Sequence, residues 1–172
     1  ELMGGEIRVE SELGRGTTFS FTLPGEVAAL PDRAARKKLL EQIKGRRVLV
    51  VDDNPTNRLI LNEKLRSWEL QPKATGKPEE ALEWFIAGEP FDVCVIDYQM
   101  PDMNGFELAR RMKQTRPDGT PPLILFSSIS PVEVDFREGV AEIGFAAVLT
   151  KPAKSGHLLN ALAAATSAGG GE

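Results

Sequence analysis

Five polar side chains follow closely on short apolar runs in this sequence: Asp52 and Asp53 after Val48–Val51, Asp97 after Phe91–Ile96, Ser127 after Leu123–Phe126, and Lys151 after Ala146–Leu149. Taken singly, each has an ordinary explanation. Asp53 or Asn54 can cap a helix that Pro55 opens, Ser127 can begin a turn, and Lys151 can be a loop residue before Pro152. Taken jointly, three carboxylates, a hydroxyl and an ammonium make an unfavourable cluster unless a cation sits among them. Oxygen donors with no histidine or thiolate nearby in sequence select Mg²⁺ or Mn²⁺, held by a few carboxylates and several waters, and speak against zinc. With such an ion bound, one carboxylate can attack phosphorus, the metal and lysine can neutralise phosphoryl oxygens, and the hydroxyl can bond a third oxygen. The chemistry so specified is phosphoryl transfer to an aspartate.

The elements that would bring these residues together are legible from Arg47 onward. Continuously apolar runs at Val48–Val51, Phe91–Ile96, Leu123–Phe126 and Ala146–Leu149, with a weaker one at Gln71–Ala74, read as strands buried on both faces. Between and after them, Pro55–Trp68, Pro78–Ala87, Phe106–Gln114, Val132–Ile143 and His157–Ala165 carry apolar residues on one face, as Leu61, Leu65 and Trp68 do. Such a β-α alternation predicts an α/β fold, a doubly wound five-stranded parallel sheet with helices on both sides. Ligands in these folds sit at the carboxyl ends of the strands, where all five polar side chains fall.

Val48-Leu49-Val50-Val51-Asp52-Asp53-Asn54, Val95-Ile96-Asp97-Tyr98-Gln99-Met100-Pro101-Asp102-Met103-Asn104-Gly105 and Thr150-Lys151-Pro152 resemble the motifs of response-regulator receiver domains. The resemblance runs from about Arg46 to Ala165 and implies the flavodoxin-like strand order 2-1-3-4-5. It implies Asp97 as phosphoacceptor, Asp52 and Asp53 as the metal-binding acidic pair, and Gln99 as a metal ligand through its backbone carbonyl. Ser127 then corresponds to the switch hydroxyl and Lys151 to the phosphate-contacting lysine. The implied partner is a phosphohistidine domain of the chain's own or another kinase, with a downstream histidine phosphotransfer module as a further recipient. One position departs from the family: where Tyr or Phe usually stands three residues before the lysine, this sequence has Val148. That departure keeps a second reading in play, a constitutive docking or autoinhibitory module in which phosphorylation is incidental. A phosphatase of the haloacid-dehalogenase type also uses an aspartyl phosphate, but needs a second Asp at the position of Gln99.

Upstream, Ile7 and Val9 alternate with polar residues, as do Phe19, Phe21 and Leu23, around Gly14-Arg15-Gly16, which predicts a β-hairpin. Leu2-Met3-Gly4-Gly5-Glu6-Ile7 through Gly14-Arg15-Gly16-Thr17 to Leu23-Pro24 resembles the end of a histidine-kinase ATP-binding domain. The expected organisation is a remnant of that domain over 1–24, a basic linker over 25–45, a receiver over 46–166 and a flexible tail over 167–172. This points to a piece of a hybrid histidine kinase that lacks a complete ATP site and the phosphorylated histidine, yet catalyses its own phosphorylation from a donor. The basic run of Arg33, Arg36, Lys37, Lys38, Lys44, Arg46 and Arg47, in and just after the linker, has no interleaved aromatics and reads as a solvated helix rather than a nucleic-acid surface. The single cysteine, Cys94, lies in an apolar run, excludes a disulfide framework and suits a cytoplasmic setting. No apolar stretch approaches the roughly 20 residues of a membrane span, so any anchor of the parent is expected outside this piece. His157, the one histidine, is expected to face solvent, and Trp68 and Trp84 to pack in or beside the core.

Overall fold

The computed structural model describes residues 5–22, 24, 33–128 and 134–168, and the chain divides into two units, Glu1–Arg33 and Ala34–Glu172. In the first, β1 (Ile7–Glu12) pairs antiparallel with β2 (Gly16–Phe21), as the alternation predicts. Gly14 and Gly16 take positive φ in the connecting turn, a conformation other residues adopt only with strain. Ile7 faces Phe21 across the pair and Val9 faces Phe19, and all are exposed, so among the described residues the hairpin has an uncovered apolar side. Leu2-Met3-Gly4 of the expected remnant and the strand residue Leu23 lie outside the described residues.

The second unit opens with α1 (Arg33–Ile43) and continues through β3 (Arg47–Val51), α2 (Pro55–Ser67), β4 (Gln71–Thr75) and α3 (Pro78–Ile86). It goes on with β5 (Val93–Asp97), α4 (Gly105–Thr115), β6 (Leu123–Ser127), α5 (Val134–Ile143), β7 (Ala147–Thr150) and α6 (Ser155–Ala168). The five strands form one parallel sheet in the order β4-β3-β5-β6-β7, which is 2-1-3-4-5 counted within this unit. The sheet and its flanking helices are those the alternation predicts.

Strand geometry sorts the core into two layers. Successive residues point to opposite faces, so Val48 and Val50 join Leu61, Leu65, Leu158 and Leu162 on one side of the sheet. Leu49 and Val51 join Phe85, Ile96, Leu108 and Met112 on the other. The central strands β5 and β6 are buried throughout, whereas the edge strand β4 is partly exposed and tolerates Pro72, whose missing N–H would break an interior ladder. Trp68 is buried in the first layer; Trp84 packs at the rim of the second with Lys73 3.9 Å over its ring.

The basic segment departs from a solvated linker. Arg33, Arg36, Lys37, Lys38 and Lys44 are exposed, but Ile43 is fully buried in the first layer, Leu39 and Leu40 pack against it, and Gln42 donates to the Ala163 carbonyl at 3.1 Å. The helix therefore packs as part of the second unit, which begins at Ala34. Leu39 and Ile43 stand four residues apart and so share a face, and the sequence alone does not show that α6 receives it.

Candidate functional site

The strand ends deliver the chemistry to one edge. Asp52 leaves β3 with its N–H donating to the Thr75 carbonyl at 3.2 Å, and Asn54 caps α2, its side-chain oxygen accepting from the N–H groups of Thr56 and Asn57. Of the two cap candidates in the sequence the structure uses Asn54, which leaves the Asp53 carboxylate exposed at the site. Asp97 ends β5, and the Tyr98 N–H continues the ladder to the Phe126 carbonyl at 2.7 Å. Ser127 ends β6 and is fully buried; its carbonyl accepts the Lys151 N–H at 2.8 Å, which ties the lysine's loop to the sheet.

One carboxylate oxygen from each of Asp52, Asp53 and Asp97 lies within 4.8 Å of the others. Asp52 and Asp97 are buried, at 3% and 5% exposure. Lys151 reaches both, with Nζ 2.7 Å from Asp52 Oδ2 and 2.8 Å from Asp97 Oδ2. Burial raises the Asp97 pKa above the ordinary carboxylate value, outweighing the lowering effect of Lys151. Burial alone would lower the Lys151 pKa, yet its hydrogen bonds to Asp52 and Asp97 prevail and raise it, so the ammonium stays charged. Three carboxylates thus face one ammonium. An oxygen-only set with this excess of negative charge fits a hard divalent cation, Mg²⁺ or Mn²⁺.

The loop after β5 follows from one close approach. A Cβ at Gly105 would lie 2.4 Å from the Asp97 carbonyl oxygen, so only glycine lets α4 start against the strand end. Its N–H donates to the Tyr98 carbonyl at 3.0 Å, and Asn104 caps the helix through the Glu107 N–H. Gln99 sits exposed on this loop, its N–H 3.3 Å from Asp97 Oδ1.

Sequence reasoning missed two residues of the site. Asn57 donates from Nδ2 to both Asp52 carboxylate oxygens at 3.3 Å, and Arg58 donates from Nη1 to the carbonyls of Asp52 at 2.6 Å and Asp53 at 2.8 Å. Both stand on the first turn of α2, and helical geometry that brings early residues back over the cap was the available signal. His157 is exposed on α6, outside the site. Val148 packs at the rim of the second layer, and the aromatic contact beside the site is made instead by Tyr98, edge-on to Phe106 and Phe136 at 4.8 and 5.0 Å. A groove of about 430 Å³ runs from Asp52 and Lys151 between Ile60, Lys64 and Ser155, and Ser128 lies on its wall.

A parallel sheet in this order with an acidic cluster and a lysine at its carboxyl edge defines a phosphoacceptor class, and the chain belongs to the response regulator receiver domain family, matched over residues 48–163. It serves as the receiver of a two-component phosphorelay of the kind built into hybrid histidine kinases. It is 30% identical over 163 residues to the autoinducer 2 sensor kinase/phosphatase LuxQ of Vibrio parahaemolyticus, covering 92% of this chain and 18% of that protein. It is also 30% identical over 153 residues to the sensor protein TorS of Escherichia coli, covering 88% of this chain and 16% of that one. The chain therefore spans less than a fifth of the length of these relatives.

Among solved structures, the receiver domain of the histidine kinase CKI1 from Arabidopsis thaliana, complexed with Mg²⁺ and BeF₃⁻, superposes with a TM-score of 0.66 at 28% identity, covering 76% of this chain and 95% of that one. The receiver domain of the sensor histidine kinase PA1611 from Pseudomonas aeruginosa, with magnesium in its active-site cleft, shares the fold with a TM-score of 0.64 at 23% identity, covering 72% and 98%. No helix among the described residues is long and apolar enough to cross a membrane.

Proposed function

We propose that Asp97 is the phosphoacceptor, that Asp52, Asp53 and Asp97 with the backbone carbonyl of Gln99 hold Mg²⁺, and that Lys151 and Ser127 bind the transferred group. The observation that carries this reading is the joint placement of three carboxylates within 4.8 Å, two of them bridged by Lys151. An Asp97 oxygen attacks phosphorus as the phosphorus–nitrogen bond of a phosphohistidine breaks, and the imidazole leaves with the electron pair. Lys151, charged and already 2.8 Å from Asp97, neutralises a phosphoryl oxygen, and the Ser127 hydroxyl bonds another. Bound Mg²⁺ supplies charge neutralisation of the phosphoryl oxygens, and Mn²⁺ suits the same donors. The Mg²⁺ in the CKI1 and PA1611 receivers supports this choice.

The donor is the phosphohistidine domain of a hybrid kinase or its partner, and a histidine phosphotransfer module is a fitting recipient. The likeness to LuxQ, which extends well beyond residues 48–163, supports a hairpin that ends a kinase ATP-binding domain. A complete set of site residues favours phosphoryl acceptance over constitutive docking alone.

The test is an intact-mass measurement after incubation with acetyl phosphate, with and without Mg²⁺. One added phosphoryl group is expected in the wild type only with Mg²⁺, reversed by hydroxylamine, and none in Asp97→Ala. Full acceptance by Asp97→Ala would sink the assignment.

A further inference from the structure

Arg58 has no part in the phosphoryl chemistry assigned above, yet its guanidinium is committed to the backbone of the acidic pair. Nη1 donates to the Asp52 carbonyl at 2.6 Å and the Asp53 carbonyl at 2.8 Å, at the turn that aims both carboxylates. A second element makes room for it. At Gly76, on the loop after β4, a Cβ would lie 2.5 Å from Arg58 Nη1 and 3.1 Å from Cζ. Gly76 does not hold a positive φ, so its backbone would accept alanine; the position is short of space, and the guanidinium occupies that space. The same loop is tied to the acidic turn through the Asp52 N–H and the Thr75 carbonyl.

We infer that Arg58, given room by Gly76, is a positioning residue for the metal centre: it clamps the Asp52 and Asp53 carbonyls and so fixes the turn that presents their carboxylates to Mg²⁺. The inference rests on the metal reading proposed above. Groups that orient metal ligands govern affinity strongly, with losses on the order of 10- to 100-fold on removal. By charge alone the effect has the opposite sign, because a guanidinium beside a cation site repels the cation. The direction of change on deleting Arg58 therefore separates clamping from simple electrostatics.

The experiment titrates MgCl₂ into the full chain and three variants, Arg58→Ala, Gly76→Ala and the double variant, following the backbone amide resonances of the site. Thermal unfolding of each metal-free protein is recorded in parallel. Each single variant is expected to bind Mg²⁺ about tenfold more weakly. The double variant should bind no more weakly than Arg58→Ala, because Gly76→Ala acts by displacing a side chain that is no longer there. Metal-free Gly76→Ala should stay folded and unfold within a few degrees of the wild-type temperature, the entropy that alanine takes from the unfolded chain partly offsetting the displaced Arg58 hydrogen bonds. A loss confined to affinity is what a merely structural role would not give.

Unchanged or tighter binding in either single variant, or additive losses in the double, would overturn the inference while leaving the metal centre intact. Wild-type protein that binds no Mg²⁺ would overturn both. Should Arg58→Ala fail to fold, Gly76→Ala, which keeps the arginine, decides alone.

Discussion

Lys151 holds two buried carboxylates at 2.7 and 2.8 Å, and the sum of charges still leaves the cluster negative, with exposed Asp53 beside it. The cluster therefore strains the metal-free protein. The folded-state pKa of Asp97 is raised, by burial above all, so the protonated form favours the fold. That contribution is complete below the unfolded carboxylate pKa and is lost as pH rises through the folded value. Asp97→Asn is accordingly expected to raise the metal-free unfolding temperature by a few degrees at neutral pH, with the gain fading in acid. The wild type, in turn, should be stabilised by Mg²⁺, by about 2.7 kcal/mol at a concentration 100 times its dissociation constant, and Asp97→Asn much less. Scanning calorimetry at pH 4 and pH 7.5, with Mg²⁺ and with chelator, checks both; a lower metal-free temperature for Asp97→Asn at pH 7.5 contradicts the strain. The residues that carry charge at strand ends were legible because position after an apolar run predicts the sheet edge. Arg58 and Gly76 were not, because neither shows a pattern and each acquires meaning only from the fold that brings their loops together.

Most elements were legible for the same reason: buried parallel strands are unbroken apolar runs, and Pro55 and Pro78 mark helix starts. The weak run at Gln71–Ala74 became a strand despite Pro72 because the sheet edge forgives a missing donor. Residues 132 and 133, placed at the start of a helix by periodicity, lie outside the described residues, and α5 is described from Val134. The element least legible was α1, since a basic sequence hides a docked apolar edge until its neighbour is known. Ile43 is fully buried, so Ile43→Ala is expected to cost about 2–5 kcal/mol in urea unfolding. A chain beginning at Arg46 should likewise be less stable than one beginning at Arg33. Equal stability of the two would return α1 to the role of a solvated linker.

At the scale of the molecule, the two units differ in kind. The second has a two-layer core, while the hairpin exposes Ile7, Val9, Phe19 and Phe21 on one side, the sort of contiguous apolar face that marks an unfilled packing surface. Removing residues 1–32 is expected to lower the fluorescence of a bound apolar dye and to leave Mg²⁺-dependent phosphorylation intact. Loss of phosphorylation on that removal would make the hairpin part of the receiver's working machinery.

The contact of Gln42 with the Ala163 carbonyl sets the end of α1 beside the last turns of α6, so the sheet's first strand is fed from the pole at which the last helix finishes. Asp52, Asp97, Ser127 and Lys151 lie at the other pole, where the strands finish. A sheet entered from one pole, with its reactive groups at the other, can be joined to flanking segments without routing the chain past its own chemistry.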